Sequence, residues 1–159
     1  FMKGSLKTGF SFGLTSGVIT TLGLMVGLNA GTHSKLVVLG GILTIAVADA
    51  FSDALGIHMS EESDKNTTHK QVWESTFAAF FAKFIIALTF VVPVLLFELL
   101  TAVIVAVVWG FLLLVILNYY LARKNQHSTW KMIFEHLLIA IVVIIITHFV
   151  GLWIGTMFS

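Results

Sequence analysis

The strongest constraint on the fold is a stretch of 50 residues, Val72–Leu121, that is almost entirely apolar. A single helix of that length would measure about 75 Å, more than twice the ~30 Å hydrocarbon core of a bilayer. The chain must therefore turn back within this stretch. Pro93, the sole proline, and the charged Glu98 mark the expected turn, because proline breaks the helical hydrogen-bond ladder. This predicts helices near 72–93 and 98–121, with one long kinked or re-entrant element as the alternative.

Three further apolar stretches, near 9–29, 36–57 and 132–158, are each long enough to cross a membrane. The whole chain is 58% hydrophobic and only 11% charged, and its mean hydropathy is +1.01. A soluble domain of 159 residues has too much surface to hide so many apolar side chains. We therefore expect an all-α integral membrane protein, with five transmembrane helices forming a single domain over residues 1–159.

Several function classes are excluded or disfavoured by composition. The chain has no cysteine, so it has no disulfide, no thiolate metal site and no cysteine nucleophile. It has a net charge of +1 and no basic run, so nucleic acid is not an expected partner. Nucleotide-binding and hydrolase motifs are missing as well. We therefore expect neither an enzyme nor a resident cofactor.

The basic residues predict an orientation. With five spans, seven Lys and Arg residues fall on the side of the N-terminus and one, Lys35, falls on the other side. Cytoplasmic loops carry the excess of basic residues, so the N-terminus is expected in the cytoplasm and the C-terminus outside. The seven are Lys3, Lys7, Lys65, Lys70, Arg123, Lys124 and Lys131.

The first helix carries glycine at every fourth position in two ladders. These ladders are Gly9, Gly13 and Gly17, followed by Gly23, Gly27 and Gly31. Small residues at this spacing let helix backbones approach closely in a membrane. The partner is either another helix of the same chain or the same helix of a second copy, so a homodimer through the first helix is one of two expectations.

Two acidic residues lie within the second span. Asp49 and Asp53 are four residues apart and share one helix face. Charges inside a membrane are costly and mark functional sites by default. Protonation of one carboxyl group, a bound divalent cation, or a structural ion pair with Lys83 of the third span would each relieve the repulsion. If Lys83 exchanged with an incoming cation at the aspartates, both the ion pair and the cation site would exist in turn.

Further polar residues are candidates for the same chemistry. His58, Glu61 and Glu62 at the end of the second span have the spacing of a carboxylate–histidine metal site, with a solvated helix face as the alternative. Hydroxyl groups near the aspartates could add oxygen ligands, and two basic groups could couple to protons. The hydroxyl residues are Thr15, Ser16 and Ser52, and the basic residues are Lys83 and His148. Asn118, with the two tyrosines that follow it, is expected in an interfacial belt.

Four segments resemble the vacuolar iron transporter (VIT) family: GLTSGVITT with LMVGL at 13–28, IAVADAFSDALG at 45–56, SEESD at 60–64 and HFVGLWIG at 148–155. The resemblance implies a dimeric exporter of Fe²⁺ or Mn²⁺ driven by protons. The chain departs from the family pattern because Ser16 stands where the family has aspartate. Asp53 replaces a family methionine, and Ile45 falls near a family glutamate. The long cytoplasmic metal-binding helices between spans two and three are absent.

We therefore expect a proton-coupled transporter of Fe²⁺ or Mn²⁺ in the bilayer of a prokaryotic plasma membrane, with Asp49 and Asp53 as the principal ligands. A carboxylate in place of a thioether favours harder ions. Two alternatives remain. One is a non-transporting membrane scaffold that binds a partner, and the other is a transporter of a different cation.

Overall fold

The computed structural model describes residues 4–125 and 129–158, with side chains except at 5, 122–125 and 129. Over these residues the chain is helical and contains no strand. Five helices are long and apolar enough to cross a membrane, which confirms the predicted fold class. Lys3 and the side chains of Arg123 and Lys124, used above for orientation, lie outside the described part. The helices are α1 Gly4–Thr32, α2 Lys35–Ser63, α3 His69–Thr89, α4 Val91–Leu96, α5 Leu99–Asn125 and α6 Thr129–Met157.

The connection between α2 and α3 is shorter than the sequence suggested, because α2 continues through the acidic segment to Ser63. The linker is only Asp64–Thr68. Thr68 ends it with a capping box, in which its hydroxyl accepts from the Gln71 backbone N–H while the Gln71 side chain accepts from the Thr68 N–H. The short linker leaves α2 and α3 packed side by side.

The turn between the third and fourth spans lies at the C-terminal end of the predicted segment 93–98. The helix does not end at Pro93 but is interrupted at Phe90, since proline has no N–H to donate to the carbonyl of Thr89. Pro93 itself lies in the first turn of α4, where a missing N–H is tolerated. The chain reverses only at Phe97 and Glu98. The two separate spans confirm the predicted turn rather than one long element, and the third span is itself a kinked pair of helices.

Helix α1 lies at the centre of the bundle and contacts α2, α3, α5 and α6. Its first glycine ladder packs on α3, where a Cβ at Gly13 would overlap the backbone of Ala79. Its second ladder packs on α6, where Gly27 meets Gly151. Both ladders thus pack against helices of the same chain, which is the first of the two expectations. The residue pairs also show that α1 runs parallel to α3 and to α6.

Candidate ion-binding site

A lysine and two aspartates form an ion cluster inside the bundle. Asp49 and Asp53 lie one turn apart on α2 and face Lys83 of α3. The Lys83 Nζ lies 2.5 Å from the Asp49 Oδ2 and also contacts the Asp53 Oδ2. Lys83 is only 2% exposed, whereas the side chains of Asp49 and Asp53 are 30% and 19% exposed. Pairing of the aspartates with Lys83, one of the three alternatives, is therefore present, and the aspartates form the more accessible side of the cluster.

Ser16 joins the cluster from α1. Its Oγ donates to the Asp53 Oδ2 at 2.7 Å and accepts from the Lys83 Nζ at 2.9 Å. The glycine beside it makes this approach possible, because a Cβ at Gly17 would lie 3.3 Å from the Lys83 Cα. Three helices thus meet at one polar centre: α1 supplies Ser16, α2 supplies both aspartates, and α3 supplies Lys83. With all groups ionised, two carboxylates and one ammonium leave the centre with one negative charge.

An open cleft leads to Asp49. It has a volume of about 730 Å³ and lies between the C-terminal half of α1, the middle of α2 and α6. Its walls are mostly apolar, and its polar side chains are Thr20, Thr32, Asp49, Ser52 and Thr147. We call it the α1–α2–α6 cleft. A small cation in this cleft would have direct access to the Asp49 carboxylate.

A second cleft reaches the other side of the cluster. It has a volume of about 680 Å³ and lies between the N-terminal half of α1, the end of α5 and the start of α6. Thr15 and Ser16 line this α1–α5–α6 cleft, and Thr20 lines both clefts. The predicted hydroxyl ligands are therefore divided, with Ser52 on the first cleft and Thr15 on the second.

The predicted His58–Glu61–Glu62 group is not assembled around one point. The His58 Nε2 lies 3.9 Å from the Glu62 Oε2, while its Nδ1 lies 3.0 Å from the Thr76 hydroxyl. The ring also packs edge-on against Trp73. Within the described ranges, no three His, Asp or Glu side chains come together as a metal centre. A cation at Asp49 and Asp53 would thus complete its coordination with hydroxyl groups and water.

Two other residues lie away from their expected roles. His148 is exposed on α6, where its ring packs against Phe149 rather than against the cluster. Asn118 is not in an interfacial belt, because it is only 1% exposed and lines the α1–α5–α6 cleft. Its neighbours Tyr119 and Tyr120 are exposed as expected. Sequence reasoning missed Asn118 because the adjacent tyrosines dominate the pattern. The signal was its spacing of four from Leu114 on the buried face of α5.

Comparison with known proteins adds one finding. The VIT family matches residues 10–74, a segment that runs through α1 and α2 into the start of α3. It includes Ser16, Asp49 and Asp53 but not Lys83. No curated protein matches the chain. The matched family is one of membrane metal ion transporters rather than enzymes, and over residues 10–74 the chain is similar to the VIT family.

Proposed function

We propose that the protein exports a divalent metal cation, Fe²⁺ or Mn²⁺, from the cytoplasm in exchange for protons. The observation that carries the proposal is the Asp49 carboxylate, which lies within a membrane-spanning helix and opens onto the α1–α2–α6 cleft. Ionisable side chains inside a membrane are costly and by default mark an ion or proton pathway. Similarity to the VIT family over residues 10–74 supports metal transport, and the substrate, direction and coupling are the proposed part.

The donor set favours a hard or borderline ion. Asp49, Asp53 and Ser16 supply oxygen atoms only, and oxygen ligands suit Mn²⁺, Mg²⁺ and Fe²⁺ better than soft ions. Two carboxylates, hydroxyl groups and retained water form the kind of coordination shell that is typical of a small divalent cation that keeps part of its hydration shell. His58, Glu61 and Glu62 lie about 8–14 Å along α2 from Asp53. They would attract an incoming cation on the N-terminal side through their charge, without holding it in an assembled metal centre.

Lys83 acts as the competitor of the cation. Its ammonium group contacts the same Oδ2 atoms that would bind the metal. The ammonium and the cation would repel each other at these oxygens, so each would weaken the binding of the other. Transport therefore requires the ammonium to withdraw from the carboxylates when the cation enters. Carboxylates must be deprotonated to bind metal, which is the basis for the proposed exchange with protons.

A homodimer in a prokaryotic plasma membrane remains part of the proposal. The glycine ladders of α1 are occupied by α3 and α6, so a dimer contact has to use other faces. His148 is exposed on α6 and would tune protonation only from such a contact.

A scaffold function is the second candidate, because the contacts of Lys83 with both aspartates are also those of a purely structural ion cluster. Flux through the purified protein in liposomes separates the candidates. We expect Mn²⁺ uptake that rises with an opposing proton gradient and exceeds the uptake of K⁺ or Na⁺. Uptake of a monovalent ion alone would favour a transporter of another cation, and no flux of any ion would favour the scaffold.

A further inference from the structure

The α1–α2–α6 cleft is larger and more apolar than a bare metal ion requires. We infer that it also binds a monovalent lipophilic organic cation, whose charge lies at Asp49 and whose apolar body lies along the cleft. This ligand class goes beyond the divalent metal of the proposed function. Its binding can be measured without an assay of transport.

The cleft has the shape of a long slot with its charge at one end. It runs along α1 from Thr20 to Thr32, about 18 Å, and its volume of about 730 Å³ is typical of pockets that hold small organic molecules. Ser16 bonds to Asp53, and α2 runs antiparallel to α1, so Asp49 lies one turn further along, near the level of Thr20. The apolar walls therefore extend from the carboxylate toward the C-terminal end of α1.

The walls suit an apolar ligand body. Beyond Asp49 and the hydroxyl residues, they consist of glycine and aliphatic side chains, among them Leu24, Leu28 and Ile45. Val150 and Ile154 of the α6 wall are exposed, so this edge of the cleft is open to the hydrocarbon region of the membrane. A cation that dissolves in the bilayer would thus enter the cleft from the side.

The polar groups of the cleft favour a cation over an anion. The hydroxyl groups of Thr20, Thr32 and Thr147 each donate to the backbone carbonyl four residues earlier in their own helix. Each hydroxyl hydrogen is therefore used, and the oxygen keeps only its accepting capacity. No Lys, Arg or His is found among the described residues that line the cleft, whereas the Asp49 carboxylate is.

The charge of the ion cluster fits a monovalent ligand. With all groups ionised, Asp49, Asp53 and Lys83 carry one net negative charge. A net charge away from water is unfavourable unless an opposite charge lies close to it. One positive charge in the cleft neutralises the cluster with Lys83 in place, whereas a divalent ion leaves one excess positive charge until Lys83 withdraws. The organic cation thus fits the arrangement of side chains that the structure shows.

Tetraphenylphosphonium is the probe, because it is lipophilic, carries one positive charge and has no hydrogen-bond donor. Tetraphenylborate is the control ligand, since it has the same shape and the opposite charge. Equilibrium dialysis of the purified protein in detergent measures both, with protein-free micelles as the background. We expect saturable binding of tetraphenylphosphonium and none of tetraphenylborate, and we expect Asp49→Asn to weaken tetraphenylphosphonium binding at least tenfold.

A second variant fills the cleft without removing a charge. Ala48 is exposed and lines the cleft, so Ala48→Phe is expected to weaken tetraphenylphosphonium binding at least fivefold. Val47→Phe is the matched control with unchanged affinity, because Val47 is exposed on α2 and is not part of the lining. Binding that is not saturable, or that is equal in the wild type, Asp49→Asn and Ala48→Phe, would overturn the inference, since the cation would then only partition into apolar surface.

Flux of Mn²⁺ in proteoliposomes separates this inference from the proposed function. If Mn²⁺ flux depends on Asp49 while tetraphenylphosphonium does not bind, only the inference is wrong. If tetraphenylphosphonium binding depends on Asp49 while no Mn²⁺ flux is found, the inference holds and the proposed function is wrong.

Discussion

Lys83 is the residue on which the intramembrane charges depend. It is nearly fully buried and contacts two carboxylates and one hydroxyl group from two other helices. Removing one member of a buried ion cluster lowers protein stability by more than the intact cluster adds to it, because the remaining charges stay buried without an opposite charge. Lys83 therefore has a structural role whether or not a cation also visits the aspartates.

Replacing Lys83 with methionine is expected to lower the free energy of unfolding by about 3 kcal/mol, since Asp49 and Asp53 would face each other without a cation. This value is near the lower end of the range for breaking a buried ion pair, because both aspartates are partly exposed to solvent. Denaturant unfolding in detergent measures the change. The triple variant with Asp49→Asn and Asp53→Asn is the control and should recover most of the loss. A loss below about 1 kcal/mol, as for a surface pair, would contradict the structural role.

The residues of the site were only partly predictable from the sequence. The shared face of Asp49 and Asp53 follows from their spacing in any helix. The hydrogen bonds of Ser16 do not, because they depend on the register between α1, α2 and α3, which close packing at Gly17 sets. The burial of Asn118 likewise depends on where α1 and α6 lie against α5.

At the scale of helices, α1 is defined by where its glycines allow contact. Its N-terminal half approaches α3 and its C-terminal half approaches α6. The periodicity predicted close packing but could not choose the partner, because the same spacing serves contacts within a chain and between chains. The break at Phe90 was displaced from its predicted position for a local reason. Proline disturbs the helix one turn before itself, and the first turn of a helix tolerates it.

Substitution of Gly151 tests the α1–α6 contact. A Cβ at Gly151 would overlap the carbonyl oxygen of Gly27, so Gly151→Ala is expected to cost about 1–3 kcal/mol of stability through overpacking. Gly56 of α2 is the matched control, because no atom lies within 4 Å of a Cβ there. Gly56→Ala should gain about 0.5–1 kcal/mol from the higher helix propensity of alanine. Equal thermal stability of the two variants would contradict the close α1–α6 packing.

At the scale of the whole molecule, the helix order fixes which ends share a side. The α2–α3 linker lies on the side of the N-terminus, and the α1–α2 link lies on the opposite side together with the Phe97–Glu98 turn. Lys35 connects the α1–α2 link to the Phe97–Glu98 turn, because its Nζ donates to the Phe97 carbonyl at 3.0 Å. The number of spans could be predicted from hydropathy alone, whereas the orientation still depends on the basic residues.

Thiol labelling in cells tests the orientation. Thr67→Cys lies in the α2–α3 linker and His33→Cys in the α1–α2 link, and both side chains are at least partly exposed. With the N-terminus in the cytoplasm, an impermeant maleimide applied outside should label His33→Cys and leave Thr67→Cys unlabelled until the membrane is permeabilised. The reverse pattern would show that the N-terminus is outside.

In the proposed function, the Asp49 carboxylate binds the transported cation. The most direct measurement is Mn²⁺ flux through Asp49→Asn in proteoliposomes, with Glu98→Gln as a matched control, since Glu98 is an exposed carboxylate at the Phe97–Glu98 turn. If loss of this charged ligand weakens cation binding by about 1.4 kcal/mol or more, the affinity falls at least tenfold. We predict at least tenfold slower flux for Asp49→Asn and unchanged flux for Glu98→Gln. Full flux through Asp49→Asn would contradict the account.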